Sequence, residues 1–444
     1  MIHSFKLYIL FTFLLGFTIE NCFSQDSAMV SKIKQYSKKA ENYLDKESKL
    51  FPYYAINANG ISIYESPQNK LVGKSEFHLT WDKMDDFNGY IKNCPTQQVL
   101  EIYKKGDCDN LTPCLSVIKK SSLIGNQIIS TDKKRLNGMK IAIDAGHIAG
   151  DMEMGIIEKK CLTFQCTDSK GSMDSISIVE GMLTFATAKL LKDKLETEGA
   201  EVLMTRTFNN GSSFGLTFDD WLKINYKTTV DSLFKVGKLT LAQKQFFLSP
   251  KASKRDKFRV IFKDIELGKR AEIINNYKPD FTIIIHYNVD ETNTGWTKTA
   301  TKNFNMTFVG GAFMKDDLST LEKRFEFFRL LISKDMEQSI ALSSAVVKSF
   351  EKNLNVKTAA LKDATYLVEG CLTTGEPGVY CRNLQLTRYI HSPLVYGESL
   401  YQDNMKECIS LNKECDKTKN ERVQKVAEAY FQGILNYVKN LDSN

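Results

Sequence analysis

The chain has 444 residues, of which 42% are hydrophobic and 25% are charged. This composition excludes a disordered or fibrous chain, and the length allows two domains or one domain with large insertions. The net charge of +7 comes from dispersed lysines. Because no dense basic run with interleaved aromatic residues occurs, we expect no nucleic-acid partner.

The N-terminal residues predict an export signal. Lys6 precedes an apolar run over residues 7–17, and small and polar residues follow around Cys22. This run is too short for a stable membrane anchor, so residues 1–24 are predicted to be a cleaved signal peptide. Lipidation of Cys22 is the alternative, although the residues before it do not fit the pattern. The mature protein is therefore expected in the periplasm or outside the cell, without a membrane span.

The ten cysteines permit local disulfides in such an oxidising compartment. Spacing alone does not fix their connectivity, and none forms the paired CxxC pattern of a structural zinc site. The close pairs are Cys161 with Cys166, Cys371 with Cys381, and Cys408 with Cys415.

Residues 25–135 are predicted to form a small accessory region of unknown role. Apolar residues between positions 26 and 50 recur at near-helical spacing, which indicates one amphipathic helix. Short β-prone segments follow, including residues 61–64 and 77–81, and turn signals separate them.

Residues 136–444 show the strand–helix alternation of an α/β sheet. A Phe-, Leu- and Lys-rich insertion at about 207–265 predicts helices of its own, which would cover or extend a groove at the carboxyl end of a strand. The other predicted elements are strands over residues 139–144, 202–205, 281–285 and 394–396, and helices over residues 177–198, 267–276, 321–350 and about 423–438.

Two of the five histidines, His147 and His286, directly follow predicted strands. Ligands of an open α/β sheet bind beyond the carboxyl ends of its strands, so we expect these two residues to converge. A hydrolytic zinc site has three nitrogen or oxygen ligands and one position left for water. Glu180 is the candidate third ligand, because it lies at the start of the helix after the His147 loop.

Six short motifs follow one another between positions 139 and 441. They are Ile141-Ala-Ile-Asp-Ala-Gly-His147, Glu180 at a helix start, Leu203-Met-Thr-Arg206, Lys269-Arg270-Ala271 with Asn275, Ile283-Ile-Ile-His286-Tyr-Asn288, and Gly378-Val-Tyr followed by Ser392-Pro-Leu-Val-Tyr-Gly-Glu398 with Asn404. In this order they resemble the zinc-dependent N-acetylmuramoyl-L-alanine amidases of the amidase 3 type.

The resemblance implies a twisted, mostly parallel mixed sheet flanked by helices, and one Zn²⁺ ion bound by His147, Glu180 and His286. It implies that peptidoglycan is the substrate, that the amide between N-acetylmuramic acid and L-alanine is hydrolysed, and that Glu398 is the catalytic carboxylate. A protein activator is a further conceivable partner. Supporting or substrate-contacting residues would be Asp144, Arg206, Arg270, Asn288 and His391, with the two arginines paired to carboxylates and His391 alternatively a structural residue.

Several assignments keep an alternative. Ser177 and Glu180 also match a capping box, in which the carboxylate binds only a backbone N–H. Glu153 and Glu158 lie in the same loop and are alternative metal ligands, and Glu369 ends another strand-like segment and is the alternative catalytic carboxylate. For the whole protein, the alternatives are a metal-free descendant that binds peptidoglycan or a protein, and a zinc peptidase that acts on another amide.

Overall fold

The computed structural model describes residues 27–106, 134–167 and 173–441. The predicted signal peptide and Cys22 lie outside the described residues. Within the described ranges, no helix combines the length and the apolar character that crossing a membrane requires.

Residues 27–106 pack onto the rest of the chain through an apolar cluster shared with residues 321–332. Phe77 lies at the centre of this contact, with its ring centroid 4.6 Å from that of Tyr103 and 5.0 Å from that of Phe328. Each aromatic side chain buried in this way stabilises the fold by about 1.5–3 kcal/mol. The elements here are α1 (residues 27–39), a π-helix (Ala40–Leu44), β1 (Tyr54–Asn57), β2 (Gly60–Ile63), α2 (Pro67–Leu71), β3 (Phe77–Leu79), α3 (Met84–Asn93) and α4 (Thr96–Lys105).

The first strand of the central sheet is followed by a helix and a β-hairpin before the chain returns to the sheet. Ser177 lies in this hairpin, paired with Thr163, so the helix predicted over residues 177–198 begins only at Glu180. The elements are β4 (Lys140–Ala145), α5 (Met152–Glu158), β5 (Cys161–Thr167), β6 (Met173–Val179), α6 (Glu180–Thr197) and β7 (Glu201–Met204).

The stretch predicted as a helical insertion contains short helices packed around Trp221 and Phe262. They are α7 (Phe218–Ile224), α8 (Tyr226–Lys235), α9 (Leu241–Leu248) and α10 (Lys254–Lys257), and a π-helix (Phe258–Phe262) leads from them into α11 (Lys263–Tyr277).

The C-terminal part of the chain supplies the remaining strands and the helices that cover them. The long helix predicted over residues 321–350 is wrong, because Ser333 has an extended backbone and splits it into two. The elements are β8 (Phe281–Asn288), β9 (Phe304–Val309), α12 (Leu321–Ile332), α13 (Asp335–Leu354), β10 (Lys357–Thr358), α14 (Thr365–Gly370), β11 (Cys371–Thr373), β12 (Val379–Arg382), α15 (Gln385–Tyr389), β13 (Leu394–Tyr401), α16 (Met405–Asn412) and α17 (Glu421–Leu441).

These strands form one mixed sheet, which has eight strands within the described residues. Its order is β11-β12-β9-β13-β8-β4-β7, with β10 paired to β9. The β13–β8, β8–β4, β4–β7, β9–β12 and β9–β10 pairs are parallel, and the β9–β13 and β11–β12 pairs are antiparallel. Helices α6, α13 and α17 bury one face, and α11 and α15 bury the other. The predicted mixed, mostly parallel α/β fold is therefore confirmed.

The local disulfides that the close cysteine spacings permit do not form. Cys161, Cys381 and Cys415 have free thiols, so none of the three close pairs is bridged. Cys371 and Cys381 are both buried on the adjacent strands β11 and β12, where they contribute to apolar packing.

Candidate active site

Three neighbouring strands bring polar side chains to one face of the sheet. Glu398 on β13 is in register with His286 on β8, and Asp144 on β4 is in register with Ile284. Because side chains alternate between the two faces of a strand, Asp144, His286 and Glu398 project from the same face. The prediction ended both strands too early, since β8 continues through His286 and β13 continues beyond Glu398.

His147 reaches this face from the loop after β4. Its φ of 62° is in the left-handed region, which few residues other than glycine adopt. Gly146 allows the loop to approach the sheet, because a Cβ at this position would lie 2.3 Å from Cε1 of His286. The rings of His147 and His286 meet edge to face, with their centroids 4.9 Å apart.

Glu180 joins the two histidines from the first position of α6. Its Oε1 lies 3.2 Å from His147 Nε2 and 3.2 Å from His286 Nδ1. The contact with His147 lacks hydrogen-bond geometry, so that buried Nε2 has no hydrogen-bond partner. The capping-box interpretation is wrong, because the helix N-cap is Val179 and makes no side-chain cap, whereas Ser177 lies in β6.

Burial and charge set the protonation of this cluster. Burial lowers the pKa of His286 to about 4, although the hydrogen bond to Glu180 acts to raise it. Burial also works to lower the pKa of His147, but Glu180 and Glu158 outweigh it and raise that pKa. Burial works to raise the pKa of Glu180, but His147 and Lys160 hold it well below its ordinary value. An anionic Glu180 beside a neutral His286 is the state that metal ligation requires.

Glu158 orients His147 from the opposite side of the ring. Its Oε1 lies 2.9 Å from His147 Nδ1, and its Oε2 accepts the backbone N–H groups of Ile148 and Ala149 at 3.2 and 3.1 Å. Glu158 is therefore not part of the ligand group, although the sequence left it as an alternative. Fixing Nδ1 in this way leaves Nε2 directed towards Glu180.

Glu153 and Lys160 lie near the same loop with different roles. Glu153 is exposed on α5 and pairs with Lys254 at 3.2 Å, so it is outside the cluster. Lys160 Nζ lies 3.3 Å from Glu180 Oε2 and 4.9 Å from the centroid of the Trp296 ring. Lys160 thus contributes a positive charge beside Glu180.

Glu398 is half-buried beside the cluster, with one unused oxygen. Its Oε2 makes no hydrogen bond. Burial and the charge of Glu180 raise the pKa of Glu398 to about 8, although Lys160 acts to lower it. Tyr396, two residues earlier on the same face, stacks on His286 with centroids 4.4 Å apart and planes 5° apart. Glu398 is thus held where it can exchange a proton.

Two buried arginines support the loops that carry these residues. Arg270 pairs with Asp144 at 3.2 Å, as predicted, and donates to the His147 carbonyl at 3.2 Å. Arg206 pairs with no carboxylate in the described part of the chain, contrary to the prediction, and donates instead to backbone carbonyls, including that of Gly181 at 2.6 Å. The arginines hold the His147 loop and the start of α6 in place.

Of the remaining predicted residues, Asn288 lies in the cleft, whereas His391 and Glu369 lie outside it. Asn288 lines the same cleft and donates to the hydroxyl of Tyr366 at 2.9 Å. His391 lies outside the cleft, where its Nε2 is 2.8 Å from Glu326 Oε1, so the alternative of a structural residue applies. Glu369 is exposed on helix α14 rather than at a strand end, and it does not line the cleft.

The cluster opens into a cleft of about 610 Å³. Phe258 and Lys263, at the end of the predicted insertion and the start of α11, line it together with Asp264. Ligand atoms of His147, Glu180 and His286 all lie within 4.8 Å of one another, which makes this group a candidate metal site.

Sequence reasoning missed several residues of this cleft, among them Tyr396, Lys160 and Arg382. Tyr396 could have been found, because it stands two positions before Glu398 on the same strand face. Lys160 and Arg382 belong to no motif, and only the folded chain brings them to the cleft.

The fold and the cluster define an α/β protein with a candidate metal centre at its sheet. Residues 141–436 match the family model of N-acetylmuramoyl-L-alanine amidase, amidase 3. Because this match covers more than half of the chain, the chain belongs to that family, and its enzyme class is N-acetylmuramoyl-L-alanine amidase. No curated protein matches the chain in sequence.

Solved structures of amidases are similar to the chain at low identity. CwlD from Clostridioides difficile, solved in complex with the GerS lipoprotein, is 18% identical, with 68% of this chain and 99% of that chain covered and a TM-score of 0.36. Ami1 from Mycobacterium abscessus is 18% identical over 68% and 99%, with a TM-score of 0.35. Ami1 from Mycobacterium smegmatis is 14% identical over 69% and 99%, with a TM-score of 0.38.

Proposed function

We propose that this protein hydrolyses the amide between N-acetylmuramic acid and L-alanine of peptidoglycan, with one zinc ion bound by His147, Glu180 and His286. The observation that carries the proposal is the position of Glu180 Oε1, which lies 3.2 Å from a nitrogen of each histidine, in the same cleft as half-buried Glu398. The cellular role we propose is cell-wall remodelling or cell separation.

The donor set fits zinc. Two imidazole nitrogens and one carboxylate oxygen are ligands of catalytic zinc sites, which keep a further position for water or substrate. His147 Nε2 is buried without a hydrogen bond, which is unfavourable unless a metal ion accepts its lone pair. Glu158 on the other nitrogen supplies the carboxylate partner that metal-bound histidines commonly have.

The residues around the cluster suit hydrolysis of an amide. Zinc, when bound, lowers the pKa of a water and polarises the scissile carbonyl. Glu398 accepts a proton from the attacking water and delivers it to the departing amine nitrogen. Tyr396 keeps the His286 ring in one orientation through stacking, and Asn288 and Tyr366 form the polar wall of the cleft.

Digestion of purified peptidoglycan sacculi tests this function. With zinc, mass spectrometry should identify free peptides that begin with alanine and glycan strands that have lost them. A chelator should stop their release, and added zinc should restore it. Products cut elsewhere in the peptide would instead indicate a peptidase, and binding to sacculi without any cleavage would indicate a non-catalytic protein.

Export of the protein is part of the same proposal, because peptidoglycan lies outside the cytoplasm. Its support is the apolar run after Lys6 and the small and polar residues around Cys22. N-terminal sequencing of the protein from cell-envelope and culture fractions should show a new N-terminus near residue 25. An uncut chain in the cytoplasmic fraction would contradict export.

A further inference from the structure

Arg382 is a half-buried cation in the cleft that contacts two aromatic rings. Its guanidinium carbon lies 4.9 Å from the centroid of the Phe308 ring and 4.7 Å from that of the Tyr366 ring. Stacking on aromatic faces holds a guanidinium in place without using its N–H donors. The donors of Arg382 therefore remain available in the cleft, next to Tyr366, which Asn288 also contacts.

The other cations of the cleft differ from Arg382. Lys160 pairs with Glu180, and Arg270 pairs with Asp144 and with a glutamate of its own helix. Within the described residues, no carboxylate oxygen lies within ion-pair distance of Arg382 or of Lys263. Lys263 is exposed on α11 and remains hydrated, whereas Arg382 is half-buried.

A half-buried charge with no carboxylate at ion-pair distance is unfavourable, and it indicates that a carboxylate comes with a ligand. The planar fork of arginine matches a carboxylate through two parallel hydrogen bonds. We propose that Arg382 binds a carboxylate of the substrate's peptide stem, next to the alanine whose amide is cut. This inference rests on the proposed function and adds a preference to it: the enzyme favours stems whose residue after alanine carries a free α-carboxylate over stems with a carboxamide there.

The test uses two N-acetylmuramoyl-L-alanyl peptides that differ only in this group, carboxylate or carboxamide. For the zinc-loaded wild type, KM for the carboxylate substrate should be lower by roughly 10- to 100-fold, the range for a hydrogen-bonded charge pair. In Arg382→Gln this preference should disappear, because KM rises for the carboxylate substrate and changes little for the carboxamide.

Two further variants serve as controls for this test. Lys263→Gln removes the same charge from the same cleft and should keep the preference, because Lys263 is exposed. Arg382→Lys keeps the charge but loses the fork, and it should keep a reduced preference, which also covers the case that Arg382→Gln fails to fold. If Arg382→Gln slows both substrates equally, Arg382 acts on Glu398 and the carboxylate proposal is wrong.

Binding separates this proposal from the proposed function. Isothermal titration of the zinc-free protein with each peptide measures recognition even if no amide is cut. Tighter binding of the carboxylate peptide that is lost in Arg382→Gln supports the carboxylate site whether or not cleavage occurs. Equal affinities for the two peptides in the wild type would overturn it, even in an active amidase.

Discussion

Glu398 and His286 are register partners on the adjacent parallel strands β13 and β8. Neighbouring strands lie about 4.8 Å apart, so this pairing fixes a carboxylate next to a candidate metal ligand without help from any loop. Tyr396 strengthens the arrangement by stacking on His286 from the same strand face. Glu398, the proposed acid–base group, and His286, one of the three proposed metal ligands, thus lie on one sheet.

Replacing Glu398 should separate catalysis from metal binding. In Glu398→Gln, kcat should fall by about 10²- to 10⁴-fold, the usual contribution of a general acid–base group, because an amide cannot accept the proton. Zinc affinity should stay close to that of the wild type, since Glu398 is not among the three ligands. Steady-state hydrolysis and zinc titration measure the two effects. Glu369→Gln, which changes an exposed glutamate on α14, should leave both unchanged, and a fully active Glu398→Gln would refute the assignment.

The contact of Glu158 with His147 predicts an effect on metal affinity. In Glu158→Gln the ring of His147 loses its carboxylate partner, and zinc affinity should fall by about 10- to 100-fold. Competition with a chelator of known affinity gives this value without any assay of activity. Glu153→Gln alters an exposed residue of the same helix and should behave as the wild type. An unchanged affinity in Glu158→Gln would show that the 2.9 Å contact does not orient the ligand.

Gly146 should not tolerate a side chain. The Cβ of Gly146→Ala would lie 2.3 Å from Cε1 of His286, so the loop or the ring must move. We expect a loss of roughly 1–3 kcal/mol in the free energy of unfolding, the usual cost of overpacking, together with weaker zinc binding. Gly268→Ala is the matched control, because a Cβ there meets nothing within 4 Å and alanine favours the α11 helix. Urea unfolding should give opposite signs for the two variants, and a neutral Gly146→Ala would contradict the close approach.

The sequence predicted β4, α6, β7, α11, β8, β13 and α17 in their order, but not the strands β5, β6 and β9–β12. It also proposed four site residues that the fold brings to one cleft, namely His147, Glu180, His286 and Glu398. It misjudged where strands end, because periodicity ends a buried strand at its last apolar residue. His286 and Glu398 are polar residues inside strands, and their backbones stay in the ladder because the pairing of β13 with β8 continues through them. The helix break at Ser333 was missed for the converse reason, since apolar spacing continues on both sides of it.

Other parts of the site lie beyond what spacing can predict. The sequence identified Glu158 as a carboxylate of this loop. Whether Glu158 binds the metal or orients His147 depends on which nitrogen of His147 it contacts, and the sequence does not show this. Lys160 and Arg382 acquire their roles from contacts with Glu180 and with aromatic rings distant in sequence. Such contacts are set by tertiary packing, which a single sequence does not encode as a local pattern.

The buried pair Glu326–His391 predicts a pH dependence of stability. Burial works to raise the pKa of Glu326, but His391 and Arg329 outweigh it and lower that pKa below the ordinary 4.5. A lowered carboxyl pKa gives stability that is fully present above the ordinary value and is lost as the pH falls through the folded value. The difference in unfolding free energy between wild type and Glu326→Gln should therefore be largest near about pH 7 and shrink below about pH 4. Denaturant unfolding across this range measures it, and a difference that grows in acid would have the wrong sign.

Equilibrium dialysis against zinc, followed by metal analysis, tests the central claim most directly. The wild type should retain one zinc ion per chain, and His286→Ala should retain almost none. In the variant the proposed site lacks one of the three residues whose ligand atoms lie within 4.8 Å of one another. His391→Ala, which removes a histidine outside the cleft, should bind zinc as the wild type does. A wild type that binds no zinc, or a His286→Ala variant that binds it equally well, would contradict the metal centre.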